Sequence, residues 1–467
     1  MSVRGAAGHH CWNSHVRPRS VPKGVVWPGL PSTSESLVLG LLFQLEQSQW
    51  WPPERVLACQ LRQIETLLAH ASLTVPFYRD RLRDAGVSGG PVTLESFRRI
   101  PILTRRDLQE NGERLVCPNP PEDNGTVGEV RSSGSTGRPV TARVSGVTTL
   151  YNHALNMRFH LWQGRDFAAT VGSIRALNNA QQVEAAAKGT ALQWTWGFVS
   201  GPMLYFDILR PIDEQLAWLA RIEPDILLTY PSNLRALLEA ARDRGMRLAR
   251  LREATLRAEV VDPDLPELCR AVWGVPLSAN YSANETGIIA LHCREGGRYH
   301  VQSETVFVEI LGDDGTPCRP GELGHVVVTD LHNFVMPLIR YDIGDYAEFA
   351  DGCPCGRGLP AIGRIAGRGR NMFVRPSGEK FWPTALKAEV YKALAPARQI
   401  QIVQRTRERI DVRLVAPAPL GAAAEEVARQ RIVEAIGTPF EVHFVYVDDI
   451  PRSRGGKFED CVSEVAV

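Results

Sequence analysis

Apolar positions first recur with a helical period near the start of the chain. Leu37 to Gln49 forms one such stretch, ending at Trp50-Trp51-Pro52-Pro53, and Pro53 to Ala71 forms a stronger one with Val56, Leu57, Leu61, Ile64, Leu67 and Leu68. Pro76 limits its continuation. Thr104-Arg105-Arg106-Asp107 reads as a capped helix start. From about residue 130 the pattern changes. Short β-rich runs (Ala168–Ile174, Ile226–Thr229, Leu277–Tyr281) alternate with helical ones (Leu216–Ile222, Asn233–Arg244, Leu265–Trp273). Such alternation predicts an α/β domain around a mainly parallel sheet. Glu304–Leu311 and Leu323–Leu331, joined through Asp313-Asp314-Gly315, predict a β-meander. Beyond a glycine- and arginine-rich boundary at residues 364–371 come helices at Thr384–Leu394 and Ala422–Ala435. Strands at Ile400–Val403, Asp411–Val415 and Val442–Val447 complete that segment. The expected architecture is α/β: a large N-terminal domain, 36–365, with mixed parallel sheets and a meander, and a small mobile α+β domain, 366–467.

Composition narrows the class. The 467 residues are 44% hydrophobic and 22% charged, with 53 basic against 52 acidic side chains. A net charge of +1 argues against nucleic acid or an anionic membrane surface as partner. The longest apolar run, near Leu37–Phe43, is too short to span a bilayer. Met1–Lys23 is polar without a signal-like core, so residues 1–35 are expected to be a disordered leader. Nine cysteines scattered through the chain form no disulfide framework, and a cytoplasmic location is expected.

The chemistry starts at Arg131–Val140, Arg-Ser-Ser-Gly-Ser-Thr-Gly-Arg-Pro-Val. Glycines and hydroxyls packed this densely can form a phosphate cradle, and the same composition also suits a flexible linker. Flanking β-rich residues, Val130 and Val140–Val144, favour a hairpin-like loop. No Walker G-x-x-x-x-G-K-[ST] occurs. Four further segments follow in order: Arg257-Ala258-Glu259; Asn280-Tyr281-Ser282-Ala283-Asn284-Glu285; Arg340-Tyr341-Asp342-Ile343-Gly344-Asp345, with Arg364 beyond it; and Pro451-Arg452-Ser453-Arg454-Gly455-Gly456-Lys457.

This ordered set resembles the acyl-adenylate-forming superfamily, and within it the phenylacetate–CoA ligase-like branch, from about Leu45 to Val462. The resemblance implies that Ser132, Ser133, Gly134, Ser135, Thr136 and Gly137 cradle the β- and γ-phosphates of ATP. It implies that Tyr281 stacks on adenine, flanked by Asn280, Ser282 and Asn284, while the Ala258-Glu259 loop offers polar groups to the base edge. Glu285 would hold Mg²⁺, Asp345 would accept the ribose hydroxyls with Arg364 beside it, and Lys457 would reach the α-phosphate and the carboxylate. Two motifs depart from the family pattern. Ser282 and Asn284 stand in a motif that usually reads Tyr-Gly-x-Thr/Ser-Glu, and Arg370 stands at the hinge where Gly-Arg-x-Asp is expected.

Cys353-Pro354-Cys355-Gly356 places two thiols on one turn, and Cys293 and His300 bracket another upstream. Cys₃His is a structural zinc set, with incidental buried thiols as the other reading and Cys318 as a spare ligand. Trp194, Trp196, Gly197 and Tyr205 are candidate walls of an acyl pocket, although tryptophans at these positions serve a core equally well. The expected function is ATP-dependent activation of a small carboxylic acid, aryl or arylalkyl, as acyl-AMP, followed by transfer to CoA. The alternatives are transfer to an amine or hydroxyl, and a non-catalytic nucleotide- or zinc-binding scaffold. ATP, Mg²⁺, structural Zn²⁺ and CoA are the expected cofactors and co-substrate, and a homodimer is the expected assembly.

Overall fold

The structure, a computed structural model, describes residues 16–87, 90–132, 139–177, 179–383, 390, 393–394, 397–437, 439–453 and 455–465. Its centre is one twelve-stranded sheet. Five neighbouring strands run parallel in the order Pro202–Asp207, Val171–Arg175, Ile226–Thr229, Glu253–Leu256 and Leu277–Ala283. Helices Ile212–Ile222, Pro231–Asp243 and Leu265–Trp273 alternate with them, as the periodicity predicts, and a core containing Leu219, Leu234, Leu238 and Ala254 fills the space beside the sheet. Past Leu277–Ala283 the sheet turns antiparallel. It continues through Gly287–His292, Tyr299–Val301, Ala361–Arg368, Tyr341–Phe349, Gly324–Asp330 and Val306–Leu311. The predicted meander is the far edge of this same sheet.

The N-terminal helices, Thr33–Ser48 and Pro53–Thr74, bury their periodic apolar faces, Ile64, Leu67 and Leu68 included. Residues 16–32 correct the expectation of a disordered leader. They lie along the loop at 197–199: the Val199 N–H donates to Arg17 O at 2.8 Å, and Pro18 bridges Phe198. Residues 1–15 lie outside the described residues.

A separate small C-terminal domain holds a four-stranded sheet with Glu441–Tyr446, Arg409–Val415, Gln399–Gln404 and Cys461–Ser463 side by side, backed by helix Ala422–Ile436. Ile400, Ile402, Val412 and Ile432 form its own core. Most of the helix expected at Thr384–Leu394 lies outside the described residues.

Candidate active site

The motif segments converge where the parallel strands end and the sheet turns antiparallel. The predicted hairpin pairs Gly128–Arg131 with Thr141–Val144. Its loop residues Ser133, Gly134, Ser135, Thr136 and Gly137 lie outside the described residues. Ser132 marks the entrance: its hydroxyl accepts from the Val140 N–H at 2.8 Å and from Arg105 Nη2 at 2.9 Å. Asn284 Nδ2 donates to Arg131 O at 2.8 Å, which ties the hairpin to the turn carrying Glu285. Asn284 therefore has a structural role that the Thr or Ser of the usual motif would fill less readily, being shorter. Glu285 is buried, with Arg105 Nη1 3.8 Å away. The sequence marked Arg105 only as part of a capped helix. That cap forms, with the Thr104 hydroxyl accepting from the Asp107 N–H, and it aims Arg105 at the cradle. Gly287, just past Glu285, has φ +73°, and a Cβ there would lie 2.6 Å from Asn152 Oδ1, so only glycine fits.

Tyr281 is a buried strand residue beside a register shift that leaves Ser282 exposed. Its hydroxyl donates to Asp345 Oδ2 at 2.9 Å, and the other carboxylate oxygen takes Arg368 Nε at 2.9 Å. Asp345 is thereby held as an oriented carboxylate, the geometry a ribose acceptor needs. The Tyr281 phenol is pushed far up by burial and then by the Asp345 charge, so it stays a donor. The partner of Asp345 corrects the reading of Arg364. Arg364 is exposed and sits opposite Glu348, whereas Arg368 sits opposite Asp345. R368Q is accordingly expected to raise the KM for ATP roughly 10- to 100-fold, consistent with loss of about 1.5–3 kcal/mol from a charged hydrogen bond, while R364Q shifts it less than about twofold. Steady-state ATP titrations of the two variants decide this.

Glu259 is also turned differently from expectation. Its carboxylate accepts the Ser232 N–H at 3.0 Å and the Phe458 N–H at 2.7 Å, and Arg452 Nη1 lies 3.7 Å away. It thereby ties the start of helix Pro231–Asp243 to the small domain. Ala258 before it holds φ +71°, a strained conformation for a residue with a Cβ. Across the same interface Tyr230 donates to Gly455 O at 2.8 Å, and Arg370 pairs with Glu459. These contacts put Lys457 over the cleft. Burial pushes its ammonium below the usual lysine range, with Arg368 adding to the shift, while Asp345, Glu259 and Glu285 oppose it. Three motifs distant in sequence thus meet around one amine.

The acyl-pocket candidates separate. Trp194 is a core residue, stacked on Phe167 at 5.3 Å with its Nε1 donating to Ala169 O. Gly197 faces Glu35 of the first helix. Trp196 stacks on His153 at 4.2 Å and remains partly exposed, and Tyr205 stays at the cleft end of the parallel strands. A cavity of about 430 Å³, lined by Arg165, Glu253, Ser278, His292, Arg294 and Tyr299 among others, opens at the opposite ends of those strands and contains none of the motif residues.

Cys293, His300, Cys353 and Cys355 do come together, their ligand atoms all within 4.8 Å of one another. Cys293 and Cys353 sulfurs are 4.0 Å apart, and His300 Nε2 is 3.2 Å from the Cys355 sulfur. Burial brings His300 down to about 4, so the ring is neutral, and its Nδ1 lies 3.1 Å from Leu359 O, which leaves Nε2 as the free lone pair. Cys318 stands outside this group.

The layout is a two-part chain in which the small domain covers the cleft at the ends of the parallel strands. Residues 374–464 match the CapK C-terminal domain family. The chain is 27% identical over 444 residues to the phenylacetate–coenzyme A ligase of Thermus thermophilus, covering 87% of this chain and 96% of that one. A 2-hydroxyisobutyryl-CoA ligase in its postadenylation state superposes with a TM-score of 0.72 at 19% identity, covering 90% of this chain and 92% of that one. The same ligase in its thioesterification state covers 90% and 91% at 20% identity and scores 0.56. Along most of its length the chain is thus similar to phenylacetate–coenzyme A ligases, and it shares the fold of adenylate-forming CoA ligases.

Proposed function

We propose that this protein activates a carboxylic acid with ATP as an acyl-adenylate, releasing pyrophosphate, and transfers the acyl group to CoA. The observation that carries the reading is Lys457, held by the small domain over the cleft with Asp345 and Glu285 among the charges acting on it. The substrate carboxylate is itself the nucleophile, so the protein supplies position and charge. Asp345, oriented by Tyr281 and Arg368, takes the ribose. Ser132 and the loop after it take the outer phosphates. Lys457 steadies the charge that builds between the attacking carboxylate and the α-phosphate.

Glu285 would be a ligand for Mg²⁺, which would neutralise phosphate charge when bound. Cys293, His300, Cys353 and Cys355 suit Zn²⁺: sulfurs about 2.3 Å from a tetrahedral ion lie roughly 3.8 Å apart, close to the 4.0 Å seen. That ion would be structural, pinning the turn that joins the strand of Asp345 to the strand of Arg368. We place the hinge at Arg370.

Phenylacetate, named for the Thermus ligase, makes an aryl or arylalkyl acid the starting panel. Pyrophosphate release measured against aryl, arylalkyl and aliphatic acids, with and without CoA, tests the reading. Acid-dependent release with a thioester product is expected. Release that yields no thioester would move the acceptor to an amine or hydroxyl, and no release with any acid would leave a non-catalytic scaffold.

A further inference from the structure

The arginines buried deepest in this chain each have a carboxylate. Arg158 has Glu304 at 2.9 Å, Arg165 has Glu253 at 2.6 Å, Arg235 has Asp264 at 2.7 Å and Arg340 has Glu309 at 2.9 Å. That is the rule for charges taken out of water. Arg175 and Arg257 are half-buried and, among the described residues, make no ion pair with a carboxylate.

Arg175 ends the strand Val171–Arg175, and Arg257 directly follows Glu253–Leu256, with Ile226–Thr229 between the two strands. Ser173 lies opposite Leu228, Thr229 opposite Leu256, and Leu256 opposite Ala279. Continuing that register puts Arg175, Tyr230, Arg257 and Asn280 in one row at the cleft end of the sheet, their side chains on one face. The two arginine backbones are two strand spacings apart, roughly 10 Å, a gap that long side chains readily close. Tyr205, opposite Ser173, lies one row below on the same face.

The electrostatics agree with the row. Burial, then the Arg175 charge, pushes Arg257 down to about 10, and the other groups acting on it are the Tyr230 and Tyr205 hydroxyls, with no carboxylate. Arg175 Nε is buried without a hydrogen-bond partner. The carboxylate nearest in register, Asp207 opposite Arg175, accepts the Leu209 N–H at 3.0 Å and makes no ion pair with Arg175 among the described residues. The roof is the turn before Lys457: a Cβ on Gly456 would lie 3.1 Å from Ala176 and 3.2 Å from both Ile208 and the Tyr230 hydroxyl. Two cations with no counter-ion among the described residues therefore stand in one row beneath the turn that precedes Lys457. The phosphate end of the cleft, at Ser132, Arg105 and Glu285, lies on the other side of the Leu277–Ala283 strand.

We infer that Arg175 and Arg257 receive a second anionic group of the substrate, so that the acid activated here is a dianion with a distal carboxylate seated between the two guanidinium groups. This deepens the carboxylate-activating reading and rests on it. The reacting carboxylate would sit at Lys457 and the distal one at the arginine row, with Tyr205 and Tyr230 lining the space between.

The experiment pairs acids that differ by one carboxylate: phenylacetate against 4-carboxyphenylacetate, butyrate against glutarate, hexanoate against adipate. Binding is followed by calorimetry and turnover by pyrophosphate release, in wild type, R175Q, R257Q and R257K. The wild type is expected to favour the better-fitting dianion over its monoanionic partner by roughly 100-fold in Kd and kcat/KM. Each glutamine variant is expected to lose at least tenfold more affinity for the dianion than for the monoanion, with R257K intermediate. Thermal melting of R257Q at or above the wild-type value would establish that the loss is not unfolding.

A preference for the dianion in binding without any turnover would keep the arginine assignment and sink the ligase reading. Turnover of monoanions with no preference for their dianionic partners would do the reverse. Equal losses for both members of a pair would assign the arginines to the reacting carboxylate, and inorganic phosphate competing as well as the dianion would make the row a phosphate site; either overturns the inference. No binding of any acid overturns it too.

Discussion

K457A is expected to lose roughly 10²- to 10³-fold in acid-dependent pyrophosphate release, the scale for removing one preorganised charge from a developing anion. Its KM for ATP should change little, because in the proposed reading the Tyr281–Asp345–Arg368 chain holds the nucleotide, and its hydrogen bonds do not involve the amine. A synthetic acyl-adenylate offered with CoA should still be converted by K457A, since attack on the α-phosphate is then already complete. The pH profile adds a sign. Lys457 acts as the ammonium, and burial lowers its pKa below the usual 10.5, so adenylation should fall on the alkaline side earlier than an ordinary lysine would allow. K457R, which stays charged, should move that limb out of range while keeping part of the rate. ATP binding that vanishes together with turnover in K457A would mean the residue holds the nucleotide and that its assigned role is wrong.

Much of this site is legible in the sequence because its parts sit in short turns whose residue types are chemically constrained. The hairpin around Ser132 forms as its flanking residues predict, and Asn284 ties the turn of the next motif to it. The Cys₃His set is legible for the same reason, with ligands paired on two local turns. What fails is anything set by long-range register. Gly-Arg occurs at 363–364, 367–368 and 369–370, and nothing local says which arginine faces Asp345. Two register shifts, between Tyr346 and Ala347 and between Glu348 and Phe349, decide for Arg368. Trp194 and Gly197 look like pocket walls until the loop carrying them folds onto residues 16–32 and the first helix. The Arg175–Arg257 row could not be read at all, because it depends on an order of strands that the linear chain does not display.

Arg370 illustrates how one local departure is absorbed. Arg370 replaces the expected acidic residue, and its neighbour across the domain boundary, Glu459, supplies the opposite charge. The pair, the Glu259–Phe458 hydrogen bond and the Tyr230–Gly455 hydrogen bond all favour the placement in which Lys457 is over the cleft. The ion pair is only partly buried and is worth on the order of 1 kcal/mol, so the small domain is biased toward that placement without being locked in it. Passage to the thioester-forming step remains open.

Loss of the Cys₃His ion is the second large effect expected. As purified, the protein should carry one zinc per chain by elemental analysis, and C353S/C355S should carry none. The two cysteines sit on the turn between Tyr341–Phe349 and Ala361–Arg368, Cys293 follows Gly287–His292 and His300 lies in Tyr299–Val301, so the ion would tie two neighbouring hairpins together at one end. Removing it leaves a buried neutral imidazole and a buried thiol facing an emptied centre. A loss of about 3 kcal/mol would lower Tm by about 6–12 °C in a domain of 150–250 residues, and somewhat less in one this large. The functional consequence follows from the same hairpin, whose other end carries the Asp345–Arg368 pair. The zinc-free variant should therefore also show a raised KM for ATP, and strong chelation of the wild type should reproduce both changes together. Full stability and unchanged ATP affinity in C353S/C355S would reduce the cluster to buried thiols on a glycine turn.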